Sequence, residues 1–203
     1  MIVSETSTEF EKVSEGTHGA ICCRLIDLGT QENGGGFPGK SRKILVGWEI
    51  PNETDSDGNS LQVASRYTLS LGEKANLRKD LESWRAKKFT ADELKGFDLR
   101  ALLGAPCLLT VVHSDDGKYA NVQSVTKLPQ GMAINPPRNE HEYFSWNSPD
   151  WDVFEGFSER LKERLEATPE YAASGRPEMV KDSWAASEPT NIGAGDDFND
   201  IPF

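Results

Sequence analysis

The sequence predicts a mainly β fold of five strands, with one helix between the third and the fourth. Three observations carry this. Residues 42–50 (RKILVGWEI) and 63–71 (VASRYTLSL) alternate apolar and polar side chains, the period of a strand buried on one face. Residues 73–86 (EKANLRKDLESWRA) place Leu77, Leu81 and Trp84 at i, i+4 and i+7, one buried stripe of a helix. Asp115-Asp116-Gly117 separates two apolar runs and has the composition of a hairpin turn.

Residues 1–16 are polar and mostly acidic, without the apolar stretch of a secretory signal, and read as a flexible N-terminal arm. Residues 19–28 (GAICCRLIDL) read as the first strand. Residues 31–41 (QENGGGFPGKS) form a Gly-rich loop that carries Phe37 and Lys40. The second strand, 42–50, puts Ile44, Val46, Trp48 and Ile50 on one face and Lys43, Gly47 and Glu49 on the other. Residues 51–60 (PNETDSDGNS) are a polar turn. The third strand, 63–71, faces the core with Val63, Tyr67, Leu69 and Leu71, leaving Arg66, Thr68 and Ser70 opposite. The helix comes next, followed by a short turn over 98–103. Residues 106–113 (PCLLTVVH) and 118–128 (KYANVQSVTKL) close the series as a hairpin. Residues 131–138 (GMAINPPR) have linker composition. Residues 150–167 (DWDVFEGFSERLKERLEA) read as one helix, capped by Ser148-Pro149-Asp150, ended by Thr168-Pro169, and striped by Phe154, Phe157 and Leu161. From 172 to 195, Ala, Ser, Gly, Pro and acids dominate, the composition of a disordered tether.

Three strands, a helix and two strands is the arrangement of the OB-fold, a five-stranded, partly open barrel that binds oligonucleotides on one sheet face and in adjoining loops. The expected fold is therefore mainly β: an OB-fold five-stranded barrel with a helix between strands 3 and 4, a C-terminal helical segment and a disordered acidic tail. The expected divisions are an arm (1–16), an OB-fold domain (17–135), an extension with a helix (136–171) and the tail (172–203).

The 203 residues carry a net charge of −11, which at first argues against nucleic acid. Its distribution argues otherwise. Residues 1–135 hold 16 Lys and Arg against 18 Asp and Glu, whereas residues 136–203 hold 6 against 15. The acidity is C-terminal, and residues 37–100 hold 12 basic and 10 acidic groups, enough for a local cationic groove. No apolar run approaches the ~20 residues that span a bilayer. The three cysteines, Cys22, Cys23 and Cys107, include no CxxC pair and read as reduced, buried, cytosolic thiols. His18, His113 and His141 show no zinc-ligand spacing, so no metal or cofactor is expected.

The chain ends in Asp196-Asp197-Phe198-Asn199-Asp200-Ile201-Pro202-Phe203. An apolar plug, Ile201 to Phe203, stands among the charges of Asp196, Asp197, Asp200 and the terminal carboxylate, a motif suited to an apolar pocket rimmed by Arg or Lys. The ending resembles that of bacterial and phage single-stranded DNA-binding proteins. The stretches ILVGWEIP, YTLSLGEKANLRKDLESWR, LLGAPCLLTVVH and KYANVQSV likewise resemble a family of phage-encoded single-stranded DNA-binding proteins with an OB-fold, over about residues 19–132. The resemblance implies a bacterial host cytoplasm and a role in coating DNA during replication or recombination. It also implies a tip, Asp196, Asp197, Phe198, Asp200, Ile201, Pro202 and Phe203, that recruits replication, recombination or repair enzymes. The acidic tail has a second expected role, competition with DNA for the barrel's cations. Self-association stays open.

Sequence-independent binding of single strands needs cations along the phosphates and aromatic faces against the bases. Arg24 on the first strand, Arg66 and Thr68 on the third, and Tyr119, Asn121 and Gln123 on the fifth are the candidates on the sheet. Phe37, Lys40, Arg42 and Lys43 are the candidates in the loop. Trp48, Tyr67 and Trp84 lie on apolar stripes and read as core. No nucleophile–base motif or HExxH occurs, GGGFPGK between two expected strands is read as a hairpin loop and not as a phosphate-cradling Walker loop, and Asp55, Asp57 and Asn59 lack the closing Glu of a calcium loop. The chain is read as a non-enzyme. The rival reading is an OB-fold adaptor or decoy that binds host repair proteins through the tip without binding DNA.

Overall fold

The computed structural model describes residues 11–34 and 38–176. Its strands are β1 (Gly16–Glu32), β2 (Lys40–Thr54), β3 (Ser60–Thr68), β4 (Pro106–His113), β5 (Ala120–Thr126) and β6 (Glu142–Phe144). Helix α1 (Asn76–Arg85) lies between β3 and β4, and α2 (Trp151–Glu155), α3 (Glu159–Glu166) and α4 (Pro169–Ala173) follow β6. Five strands form one antiparallel path, β3-β2-β1-β4-β5, in which β3 and β5 are the two ends, and β6 joins β1 in parallel.

β1 is much longer than its apolar run because it serves two partners on one edge. Its first part, Gly16 to Ile21, pairs with β4, and Arg24 to Ile26 pair with β6. A bulge between Cys22 and Arg24 marks the change of partner, and a second lies between Asp27 and Gly29. An extra residue bends a strand and re-aims its side chains. That lets Cys22 and Leu25 enter the main core while Ile26 and Leu28 enter a second one.

The main core lies inside the curved sheet. Ile44, Val46, Trp48 and Ile50 of β2 meet Val63 and Tyr67 of β3 there, with Leu77, Leu81 and Trp84 of α1 against them. The alternation read from the sequence thus gives the correct inner face on both strands. Trp48 and Trp84 pack with ring centroids 6.1 Å apart, and the Trp84 indole N–H donates to Pro106 O at 2.9 Å. Tyr67 donates its hydroxyl to Asp80 at 2.8 Å, which allows a phenol to sit in the core.

The second core lies on the outer face of β1 and β2. The single helix expected over 150–167 is two helices. Asp150 caps α2, and Ser158 accepts from the Leu161 N–H to start α3. The chain turns at Gly156, whose N–H bonds back to Asp152 and Val153. Ser favours caps over helix interiors because its hydroxyl competes for backbone groups. The break lets Phe154, Phe157, Leu161 and Leu165 all reach Ile26, Leu28, Leu45 and Phe144. Thr168, expected to end the helix, instead caps α4, so residues 172 and 173 are helical rather than part of a tether. Val13, within the expected loose arm, is fully buried, and its carbonyl lies 2.8 Å from His113 Nε2.

Candidate nucleic-acid interface

The expected binding face on β1–β3 is largely covered. Arg24 projects from the outer face of β1 and forms an ion pair with Glu142 of β6. Its stem lies over Gly47, where a Cβ would come within 2.9 Å of Arg24 Cβ. Glu49, on the face of β2 opposite its apolar stripe, is fully buried beneath residues 138 and 139. Arg66 is half-buried beside α3. Burial holds its guanidinium below its ordinary pKa, and the positive charges of Arg164 and Arg160 lower it further. Alternation could not reveal this cover, because the residues that form it lie some 90–120 positions further along the chain.

Other candidates remain accessible. Thr68 is exposed at the end of β3, directly across from half-exposed Lys43 on β2. Lys40 is exposed and lies 3.3 Å from Glu32. Tyr119 precedes β5, with its N–H on Ser114 Oγ at 3.0 Å and its side chain half-exposed. Asn121 faces Val112. Gln123 is the extra residue of a bulge, since Thr110 pairs with Ser124 and Val111 with Val122. The bulge resets the alternation, so that Val125 points into the core. Phe37 and the tip residues 196–203 lie outside the described residues.

Arg42, expected to act with the Gly-rich loop, is paired with Asp27 of β1. Its guanidinium grips both carboxylate oxygens of Asp27 and lies 3.4 Å from the side-chain oxygen of Asn147. Hydrogen bonding to that carboxylate raises its pKa, so the charge persists at any working pH. The pair forms one wall of a cleft of about 230 Å³ at the end of the sheet, lined also by Leu69, Phe97, Arg100 and Tyr143. The Arg100 guanidinium stands 4.7 Å from the Tyr143 ring centroid. Phe97 stacks edge-on against Phe89 at 5.2 Å, with Arg85 5.0 Å from its ring.

Arg100, Tyr143 and Phe97 are the functional candidates that sequence reading missed. Arg100 sits in a single helical turn (Leu99–Leu102), whose first residue is preceded by the cap Asp98, and Tyr143 in a strand of three residues. Neither element is long enough to show a period. A second cleft of about 360 Å³ is lined by Arg24, Gln62, His141 and Glu142 among others, with no Phe, Tyr or Trp.

All three cysteines are buried free thiols, and burial pushes Cys22 and Cys23 up to about 12 and Cys107 higher still. They are not nucleophiles at neutral pH. Among the described residues, no group of three or more His, Cys, Asp or Glu side chains is gathered as for a metal ion. No helix among them is long and apolar enough to cross a membrane. The chain matches no family model and no curated protein sequence.

Proposed function

We propose that this chain is an OB-fold protein that binds single-stranded DNA without sequence preference, in the manner of the phage-encoded proteins it resembles, and that its C-terminal tip recruits partner enzymes. The strand path β3-β2-β1-β4-β5, with α1 between β3 and β4, supports the OB reading. Such a barrel closes by bringing β3 and β5 together; here they stay the unpaired ends of the path, a partly open form. The observation that carries the binding reading is the cleft in which Arg42, Arg100, Phe97 and Tyr143 converge. It combines the two groups that single strands require, a π-face for a base and guanidinium groups for the phosphates. The Gly-rich loop with Phe37 and Lys40, and the half-exposed Tyr119, would extend the contact.

Fluorescence titration of oligo(dT) and of a duplex of equal length, each at two salt concentrations, tests this. Single strands bind more tightly than duplex, and affinity falls with salt because phosphate contacts release counterions. Duplex preference or salt-insensitive binding overturns the reading.

A second reading, a tip-bearing adaptor without DNA affinity, draws on the covered outer face. On it Arg24 is matched by Glu142, and beside the cleft Arg42 is matched by Asp27, which removes two of the expected cations from ready contact. An absence of oligo(dT) binding at low salt, with partner capture retained, selects it.

A further inference from the structure

The second core covers the outer face of β2 and of β1 beyond its first bulge, through Leu45, Ile26 and Leu28. The rest of that face is built by the start of β1, β4 and β5. Ala20, Leu109, Val111 and Val125 point into the main core, so their neighbours point outward. The register sets these neighbours side by side: Gly19 across from Leu108, Thr110 from Ser124 and Val112 from Asn121. Leu108 and Val112 are half-exposed and belong to neither core. Residues 128–137 run against this face, since a Cβ on Gly19 would meet the Ile134 side chain at 2.9 Å and the Met132 methyl at 3.6 Å. Met132 itself is 40% exposed.

Of all residues in the chain 27% are charged, yet β4, β5 and residues 128–137 contain no Asp, Glu, Lys or Arg. Charges stand at the ends of the face. Glu15, whose carboxylate accepts the His113 N–H at 2.7 Å, joins Asp115 and Asp116 of the hairpin turn at one end, and Lys127 follows β5 at the other. A centre depleted of charge, an exposed methionine and a charged rim are the anatomy of a protein–protein contact. The neutrality also selects the occupant. A polyanion or a strongly basic partner would find no charge to pair with here. In a two-fold contact, by contrast, a patch meets itself, and a charge near the axis would face its own like charge. With a net charge of −11, two copies approach best where neither carries charge.

We propose that two copies of this chain associate face to face through β4, β5, the start of β1 and residues 128–137. This pairing does not depend on DNA binding. The three strands cover about 25 Å by about 10 Å before residues 128–137 are added. That is small beside the ~800 Å² that each partner of a standard interface buries, so the dimer is a weak one that dissociates in the micromolar range.

Sedimentation velocity of the full chain, over concentrations up to about 300 µM and at low and high salt, tests this. Wild type shifts from monomer to dimer as concentration rises. The dimer tightens with salt, because the repulsion between two acidic chains is screened while the neutral contact is not affected. Thr110→Glu and Thr110→Lys, at the middle of the face, each raise the dimer Kd about tenfold or more, since either sign meets its own copy. Met132→Glu, at an exposed position that leaves both cores intact, does the same and carries the test if the Thr110 variants melt early. Leu94→Glu, at the other exposed large apolar residue, outside this face, leaves the Kd unchanged. A wild-type chain that stays monomeric throughout overturns the proposal, as does a dimer indifferent to Thr110→Glu and Met132→Glu. A dimer that loosens with salt overturns it in favour of a contact between acidic and basic segments of two copies. Loss of oligo(dT) binding in a monomeric Met132→Glu chain overturns it in favour of nucleic acid on this face.

Discussion

The carboxylate of Glu49 receives the backbone N–H of Arg138 at 2.8 Å and that of Asn139 at 3.1 Å, with the Glu49 side chain fully buried. This contact pins the start of the C-terminal extension to the outer face of β2. Burial alone would raise the Glu49 pKa; the two N–H groups outweigh it and hold the carboxyl below its ordinary value. Glu49→Ala leaves both N–H groups buried without acceptors and destabilises by about 1–3 kcal/mol in chemical denaturation.

The same depressed pKa sets a pH window. A carboxylate whose folded pKa is lowered contributes stability in full above its unfolded value of about 4.3, and loses it as pH falls through the folded pKa. Denaturation from pH 6 down to pH 3 is expected to show a steeper fall for wild type than for Glu49→Gln. Parallel curves would mean that Glu49 is not ionised in the fold.

Gly47→Ala tests the closeness of β1 and β2 at the first bulge. The new Cβ meets Arg24 Cβ, part of the rigid base of that side chain, so the strands must shift. A loss of about 1–3 kcal/mol is expected, as for other overpacked positions, and is read from the denaturation midpoint.

Substitutions in the cleft are expected to separate binding from folding. Arg100→Ala, at an exposed position, and Tyr143→Leu, which keeps apolar volume, weaken oligo(dT) binding with little change in melting temperature. Loss of a base-stacking ring costs about 1–3 kcal/mol of binding. Tyr119→Ala behaves alike. Trp84→Ala does the reverse, costing about 3–5 kcal/mol of stability because the ring lies in the main core. Unaltered binding in both Arg100→Ala and Tyr143→Leu would remove the cleft from the interface.

Deleting residues 196–203 is expected to abolish capture of partner enzymes while DNA affinity holds or rises, because a competing polyanion is gone. Removing Phe203 alone does most of the damage to capture. Pull-downs of replication and repair enzymes with full and shortened chains decide it, and equal recovery would reduce the tip to a solubilising tail.

The sequence by itself determined the inner faces of β2 and β3, the buried stripe of α1 and the hairpin turn at Gly117. Each depends on neighbours a few residues apart, where the periods of strand and helix act directly. Gly117 has a positive φ of 68°, as that turn needs. Only the tertiary structure decided what covers the outer face. Leu45 and Glu49 of β2 carry no mark of being buried by residues 138–165, because that contact joins segments some 90–120 positions apart. The same holds for the cations. Arg24, Arg42 and Arg66 look equivalent along the chain, yet folding gives the first to Glu142, the second to Asp27 and the third to the company of Arg160 and Arg164. Charge acts through space, so the partners of a side chain follow from which surfaces the two cores bring together.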